Sequence, residues 1–290
     1  MSDWINTILQ GLLTGGLYAL FAAGLSLSFG VMRIINIAHG DFAILAGYAA
    51  IAIAGTFGLN PVEAMCAVVP AMALLGYALQ RGILNLTLGD DVLRPLLVTF
   101  GFSIVIQNLL LEGFSADSRS LDSGTFGTDS LQLGGNLAVG LLPLTVMAAA
   151  VAILAFMQWL FSTTLLGRAF RAAADDPETV QLMGVNTRHI YAMAMAIAMA
   201  MVAVAGVFLA LQTTVSPTDG PEHLLYAFEA VIIGGLGSLW GTLIGGIVLG
   251  VSQAIGAKLN PGWGILAGHL CFLAVLIIRP SGLFPTARNR

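Results

Sequence analysis

Between Met32 and Phe42 the chain reads MRIINIAHGDF, which sets Asn36, His39 and Asp41 within six positions between long apolar runs. Side chains of these types can bind a polar solute, pass a proton or hydrogen-bond irregular backbone. With a second span expected from about Ile34, Asp41 lies about 10 Å along a helix. A carboxylate at a span's centre costs about 2.5 to 3.5 kcal/mol on insertion scales, against about 0.3 to 0.6 recovered by a leucine. Such a residue is expected to face protein or water. Two readings are open here: Asn36, His39 and Asp41 line a substrate path, or they clamp the backbone around Gly40.

Glu229 is a second isolated acid, about one and a half helical turns before the glycine-rich stretch GGLGSLWG at 234–241. It suits binding of a cationic group, capping of a broken helix, or an ion pair with an arginine such as Arg33. Gly234, Gly235 and Gly237 join it as path candidates, because unwound backbone inside a membrane is tolerated where it is buried in protein or lines a wet cavity. His269, alone in an apolar span, is expected to be a hydrogen-bonded packing residue. Gln107 and Asn108 suit either role, and Glu222 and His223 are expected at the outer water interface.

What is missing leaves a second rival, an intramembrane enzyme, without support, since no nucleophile has a base at recognisable spacing. The only lysine, Lys258, follows alanine, so there is no phosphate-cradling GK[ST] loop. There is no H-E-x-x-H or G-x-S-x-G, and His39, His189, His223, His269, Cys66 and Cys271 do not have zinc spacing. No catalytic or metal-ligating set is predicted, and both cysteines are expected as small packed hydrophobes. The net charge of -4 with one lysine excludes nucleic acid as a partner.

The elements that position these residues follow from composition. Of 290 residues, 58% are hydrophobic and 9% charged, and the mean hydropathy is +0.92. Continuous apolar runs of about twenty residues predict helices that cross a bilayer rather than a barrel. Spans are expected at 4–29, 34–56, 61–80, 93–112, 141–161, 190–212 and 263–279, with a long element at 223–257. At 35 residues that element would measure about 52 Å as one helix, so it must break, and the glycines at 234–241 are the place. The fold class is therefore an all-α polytopic membrane protein with about 8–9 inserted helices, one of them broken or re-entrant.

Orientation follows from the basic residues. If the long element crosses twice, Arg33, Arg81, Arg94, Arg168, Arg171, Arg188, Arg279, Arg288 and Arg290 lie inside and Arg119 and Lys258 outside. A single crossing gives a seven-to-four split, so the positive-inside rule selects the broken element, an outer N-terminus and a cytoplasmic C-terminus. The start MSDWINTILQG has no basic stretch before its apolar run, so the first helix is expected to remain. Residues 113–140 are expected as a polar extracytoplasmic loop with turns or a short hairpin. The loop at 162–189 carries helix signals: a helix from Arg168 to Ala174, Asp176 as N-cap, Pro177 at the first helical position, Glu178 in the first turn, and Gly184 as terminator. Val180 and Met183 are expected on one side of the short helix. Small-xxx-small pairs, among them Gly11 with Gly15 and Gly246 with Gly250, predict close helix packing.

Three stretches in order, GLLTGGLYALFAAGLSLSFGVMRIINIAHGDF, GRAFRAAADDPETVQLMGVNTRHI and AFEAVIIGGLGSLWGTLIGGIVLG, resemble the permease subunits of bacterial branched-chain amino-acid ABC importers, with similarity from about Ile8 to Pro285. The resemblance implies one transmembrane permease domain over 1–290 in the inner membrane. It also implies a second permease (a related chain or a second copy), two cytoplasmic ATP-binding subunits and a periplasmic substrate-binding protein. No cofactor is then bound by this chain; ATP is used by the partners. The segment from Gly167 to Gly184 corresponds to the ATPase-docking segment, with Arg168, Arg171, Asp175, Asp176, Glu178, Val180, Met183 and Gly184 as candidates, although the E-A-A-x-x-x-G pattern of many ABC importers is not literally present. The implied activity is alternating-access import of branched-chain or other small hydrophobic amino acids. Related permeases carry urea, short amides or small organic acids, and an ion-coupled secondary transporter using His39, Asp41 and Glu229 is the rival class.

Overall fold

The computed structural model describes residues 2–89, 93–134 and 137–284. Arg288 and Arg290, used above for orientation, lie outside the described residues. The helices are α1 (Ser2–Met32), α2 (His39–Phe57), α3 (Pro61–Leu79), the single turn α4 (Asn85–Thr87), α5 (Leu93–Phe114), α6 (Leu141–Thr163), α7 (Leu165–Asp175), α8 (Pro177–Leu182), α9 (Thr187–Gln212), α10 (Gly220–Gly234), α11 (Leu239–Leu259) and α12 (Gly264–Ile278). A π-helical turn, Gln80–Leu84, joins α3 to α4. Eight helical stretches among the described residues are long and apolar enough to cross a membrane. With the shorter α10, the long element at 223–257 is indeed two helices.

The chain divides into two compact units. One comprises Met1–Ala23, Asp122–Leu154 and Leu225–Arg290; the other comprises Gly24–Leu121 and Ala155–Leu224. In the first, small residues set the packing. A Cβ on Gly15 would stand 2.5 Å from the Ile247 Cα, and one on Gly246 2.6 Å from the Gly15 carbonyl oxygen, so α1 and α11 touch through their backbones. A Cβ on Gly245 would likewise meet the Ala230 carbonyl oxygen at 2.0 Å, seating α11 on α10. The expected hairpin is present as β1 (Ser130–Gly134) and β2 (Leu137–Gly140), paired antiparallel with Ser130 opposite Gly140.

The second unit is built around α9, which packs against both α2 and α3. Gly76 admits Met199, whose Cγ would be 2.5 Å from an added Cβ, and a Cβ on Gly206 would strike the Ala43 carbonyl oxygen at 2.0 Å. Asn60 caps α3 through the amides of Val62 and Glu63, and the Glu63 carboxylate returns to the Asn60 N–H to complete a capping box. Outward faces carry apolar side chains such as Leu74, Leu97, Leu109, Trp159 and Ile277. In water these would be an aggregation liability, whereas lipid accepts them.

Three expectations change. The second helix begins at His39 rather than near Ile34, because Arg33 turns into the left-handed region (φ 55°) and the Asn36 side chain bonds the Ala38 N–H instead of continuing a helix. Both cysteines are free, but Cys66 is exposed on α3 and fills no internal gap. Val180 and Met183 do not share a face: Val180 is buried and Met183 is 78% exposed.

Candidate functional site

After Arg33, whose N–H still reaches the Phe29 carbonyl, side chains take over backbone hydrogen bonds in the chain leading to α2. Asn36 Oδ1 accepts from Ala38 N at 3.1 Å, the Ile37 N–H donates to Thr99 Oγ1 at 3.2 Å, and the Asn36 carbonyl takes the His39 N–H at 3.2 Å. This is how the backbone is satisfied away from water. It brings α2 in partway along α9. A Cβ on Gly24 would lie 2.9 Å from the Ala198 carbonyl oxygen and 3.0 Å from His39 Cε1, and the Ala43 carbonyl faces Gly206. Ala198 and Gly206 lie at about 17 and 29 Å along a helix about 39 Å long, so α2 starts near mid-span.

The N-terminus of α10 meets it there. A Cβ on Gly40 would sit 1.9 Å from the Gly220 carbonyl oxygen, and one on Gly220 2.1 Å from Asp41 Oδ1. Asp41 therefore stands in the first turn of α2 with its carboxylate against the first residue of α10. Gln107 Nε2 donates to Asp41 Oδ1 at 2.8 Å and to Ser103 Oγ at 3.1 Å, while Asp41 Oδ2 is buried without a hydrogen-bond partner among the described residues. Asn36, His39 and Asp41 are each at most 1% exposed. Glu222 is exposed and His223 half-buried in the first turn of α10, which begins beside mid-α9.

A latch holds the approach to this point. Arg119 and Val215 form an antiparallel bridge, the Leu121 N–H donates to the Ala210 carbonyl at 2.7 Å, and Tyr48 Oη lies 2.9 Å from the Val215 carbonyl oxygen and 3.0 Å from that of Asp117. One phenolic proton serves both carbonyls. Five residues beyond Val215 the chain reaches Gly220.

In the other unit, Glu229 on α10 is 2% exposed and pairs with His269 rather than an arginine: His269 Nδ1 is 2.5 Å from Glu229 Oε1. Glu229 Oε2 and the nearby Gln253 Nε2 are buried without partners among the described residues. Tyr18 donates to Gln253 Oε1 at 2.6 Å and packs on Tyr226, which stacks on His269 with centroids 6.5 Å apart. The break lies at 235–238, with Gly235 and Gly237 at φ 105° and 79°, a region that favours glycine. Its polar groups are occupied: Leu283 and Phe284 donate to the carbonyls of Ile233 and Gly234, and Ser238 Oγ caps α11 by accepting from the Gly241 N–H.

The loop at 162–189 folds as an arm of two short helices. A Cβ on Gly167 would strike the Leu160 carbonyl oxygen at 2.3 Å, Phe170 packs on Phe161, and Arg171 Nη1 donates to the Phe161 carbonyl, so α7 is fastened to the end of α6. Asp176 caps α8, accepting from the amides of Glu178 and Thr179 at 3.1 Å and from Thr179 Oγ1 at 2.5 Å. These bonds, the Thr179 hydroxyl's first, hold its carboxyl below the ordinary carboxylate range. Gly184 ends the arm at φ 84°. Arg168, Arg171, Asp175, Asp176, Glu178, Met183 and Gly184 are not buried, and Leu182 is 89% exposed. Beside them a cleft of about 360 Å³ is lined by Gln181, Gly184, Val185, Asn186, Thr187 and Arg188.

Sequence reasoning did not find Gly220, Ser103, Tyr48 or Leu182. Ser103 and Gln107 do carry a signal, since polar residues four apart share a helix face.

The arrangement has known counterparts. A family described as branched-chain amino acid transport system / permease component matches residues 7–278. The high-affinity branched-chain amino acid transport system permease protein BraD of Pseudomonas aeruginosa is 30% identical, over 97% of this chain and 95% of BraD. LivH of Salmonella typhimurium, described in the same words, is 28% identical over the same shares. The solved structure of PsaBC from Streptococcus pneumoniae in complex with Fab shares the fold, with a TM-score of 0.50 at 13% identity over 95% of this chain and 92% of that one. This multi-pass membrane chain belongs to the family of permease components of branched-chain amino acid transport systems.

Proposed function

We propose that the chain is one transmembrane permease of an ATP-driven importer that moves branched-chain or other small hydrophobic amino acids by alternating access. It binds no ATP; two cytoplasmic ATPase subunits work on it through α7 and α8, and a second permease and an extracytoplasmic binding protein complete the assembly. The N-terminus lies outside and the C-terminus inside. The observation that carries this reading is the family match over residues 7–278, joined to a short capped arm whose exposed tip holds Leu182 and Met183. An arm fastened to α6 at Gly167 and Arg171 passes force to the spans without bending first.

The test is reconstitution with the partner subunits. Gly184→Pro is incompatible with φ 84° and removes the Gly184 N–H bond to the Gln181 carbonyl, so it is expected to leave the protein inserted and to uncouple uptake from ATP hydrolysis. Leu182→Ser with Met183→Ser should do the same. Unchanged coupled uptake in both removes the docking assignment, and labelling of a cysteine at Ala172 or Thr179 from outside intact cells, with Cys66 replaced, reverses the orientation.

The pairing of buried Glu229 with half-buried His269 supports a second reading, an ion-coupled transporter. Uptake that collapses with a protonophore while ATP persists would select it. Competition by urea, short amides and small organic acids against leucine tests the cargo.

A further inference from the structure

We propose that the junction of α2 and α10 around Asp41 is a binding site for the zwitterionic head group of an α-amino acid, closed in this structure and opened when the two helix N-termini part. This site rests on the amino-acid importer reading above.

Charge decides which ligand fits. Each helix N-terminus presents unsatisfied N–H groups worth about half a positive charge. Two of them meet at Gly40 and Gly220 near the middle of α9, with one carboxylate between them that is fully buried and has a free oxygen, Asp41 Oδ2. When closed, the Asp41 carboxylate lies against the positive ends of both helices, and the start of α10 also carries Asp219, whose carboxylate accepts from the Ser216 N–H, and Glu222. When α10 draws away, the carboxylate loses the positive end it faces, and the peptide N–H groups lose their anion. A simple cation would satisfy the carboxylate but be repelled by both helix ends. A simple anion would satisfy the helix ends but be repelled by Asp41. An ammonium and a carboxylate on adjacent atoms answer both, the ammonium on Asp41 Oδ2 and the carboxylate on the N-terminal amides, a use of half-helix ends suited to membrane interiors.

The neighbours fit that use. Gly40 and Gly220 carry no side chain that would cover the amides once the backbones separate, and the same absence lets them touch when closed. Gln107 spends its amide N–H groups on Asp41 Oδ1 and on Ser103, which fixes the carboxylate and leaves Oδ2 for a ligand. The Tyr48 latch to Val215 holds the segment that leads into α10, so Gly220 can move off Gly40 without that segment coming loose.

The test uses purified permease and head-group analogues. Leucine is expected to raise the thermal midpoint, whereas leucinol, which lacks the carboxylate, and 4-methylpentanoate, which lacks the ammonium, leave it unchanged at the same concentration of about 1 mM. Asp41→Asn is expected to abolish the leucine response. In proteoliposomes holding the complete importer it should lower leucine uptake at least about tenfold, the loss of one charge-assisted contact. The site is overturned by analogues that match leucine, by no response to leucine in the wild type, or by an Asp41→Asn importer that keeps most of its uptake. If Asp41→Asn fails to fold, the analogue series on the wild type decides alone. Wild-type importer that takes up no leucine, isoleucine or valine removes the underlying cargo reading. Normal wild-type uptake with a flat analogue series removes only the site.

Discussion

Asp41 and Glu229 are both buried acids with one oxygen unpartnered, yet their surroundings differ in kind. Asp41 stands in the first turn of its helix, takes its hydrogen bond from an amide that cannot titrate, and faces a second helix N-terminus across two glycines. Glu229 lies well inside α10, takes its bond from an imidazole that is one-third exposed, and has an aromatic wall of Tyr18 and Tyr226 beside it. The first is held by backbone charge and shape, the second by a side-chain pair. A backbone junction can part and re-form without changing its protons. A carboxylate–imidazole pair keeps its own partner and bolts α12 to α10. This difference makes the Asp41 junction the moving part and the Glu229 pair the fixed one.

The largest effect expected from that contrast is on shape. Gly40→Leu drives a Cβ to 1.9 Å from the Gly220 carbonyl oxygen, and backbone cannot yield as a side chain does. It should cost about 3 kcal/mol or more and leave little monodisperse protein in size-exclusion chromatography. Gly101→Leu on α5, where a Cβ meets nothing within 4 Å, should be silent. Equal behaviour of the two variants would mean that shape does not set the junction.

Next comes the pair. Glu229→Ala leaves His269 without its acceptor, and is expected to lower stability by about 3 kcal/mol, the low end for a broken buried pair because His269 is partly exposed. Glu229→Leu combined with His269→Leu should recover most of that loss, since an apolar pair needs no partner in this setting. A thermal double-mutant cycle reads the coupling. If the double variant is no better than the single one, Glu229 does more than bolt two helices together.

The sequence made one half of this contrast more legible than the other. The helix break was visible because a 35-residue apolar run is too long for one crossing and the glycines stand where it must bend. The capped arm was visible because Asp176, Pro177 and Glu178 are a local signal, complete within four residues. The late start of α2 was not, because the same run from Ile34 reads equally well as helix, and what stops it is the Asn36 side chain together with a distant hydroxyl on Thr99. Nor does spacing reveal that Gly220 and Asp41 meet, far apart in the chain, or that Glu229 selects His269 over an arginine. Local chemistry fixes where a helix begins or ends when its partners are within a turn; long-range contacts decide the rest.

A smaller effect probes the latch that feeds the moving junction. Tyr48→Phe keeps the ring against Phe114 and removes the hydroxyl from the carbonyls of Val215 and Asp117. The expected loss is about 1 kcal/mol. Hydrogen exchange should speed up at Arg119 and Val215, whose N–H groups make the bridge, and at Leu121, which bonds the Ala210 carbonyl beside it, and remain unchanged around Glu229. Faster exchange in both regions would erase the distinction between moving and fixed parts.

The smallest effect comes from the arm, and it separates a surface acid from the two buried ones. Hydrogen bonds to Asp176 hold its carboxyl below the ordinary carboxylate range, so folding of α8 favours the charged form. For a group whose folded pKa is depressed, the added stability is complete above the unfolded carboxylate value of about 3.9 and disappears as the pH falls through the folded value. Exchange at the amides of Thr179 and Val180, corrected for its intrinsic pH dependence, should therefore be flat from neutral pH down to about 5 and rise only below about 4. Asp176→Asn keeps a capping oxygen but cannot titrate, so its exchange should begin slightly faster and show no acid rise. An acid rise that persists in Asp176→Asn would place the titrating group elsewhere, and Glu178 in the first turn of the same helix would be the next to replace.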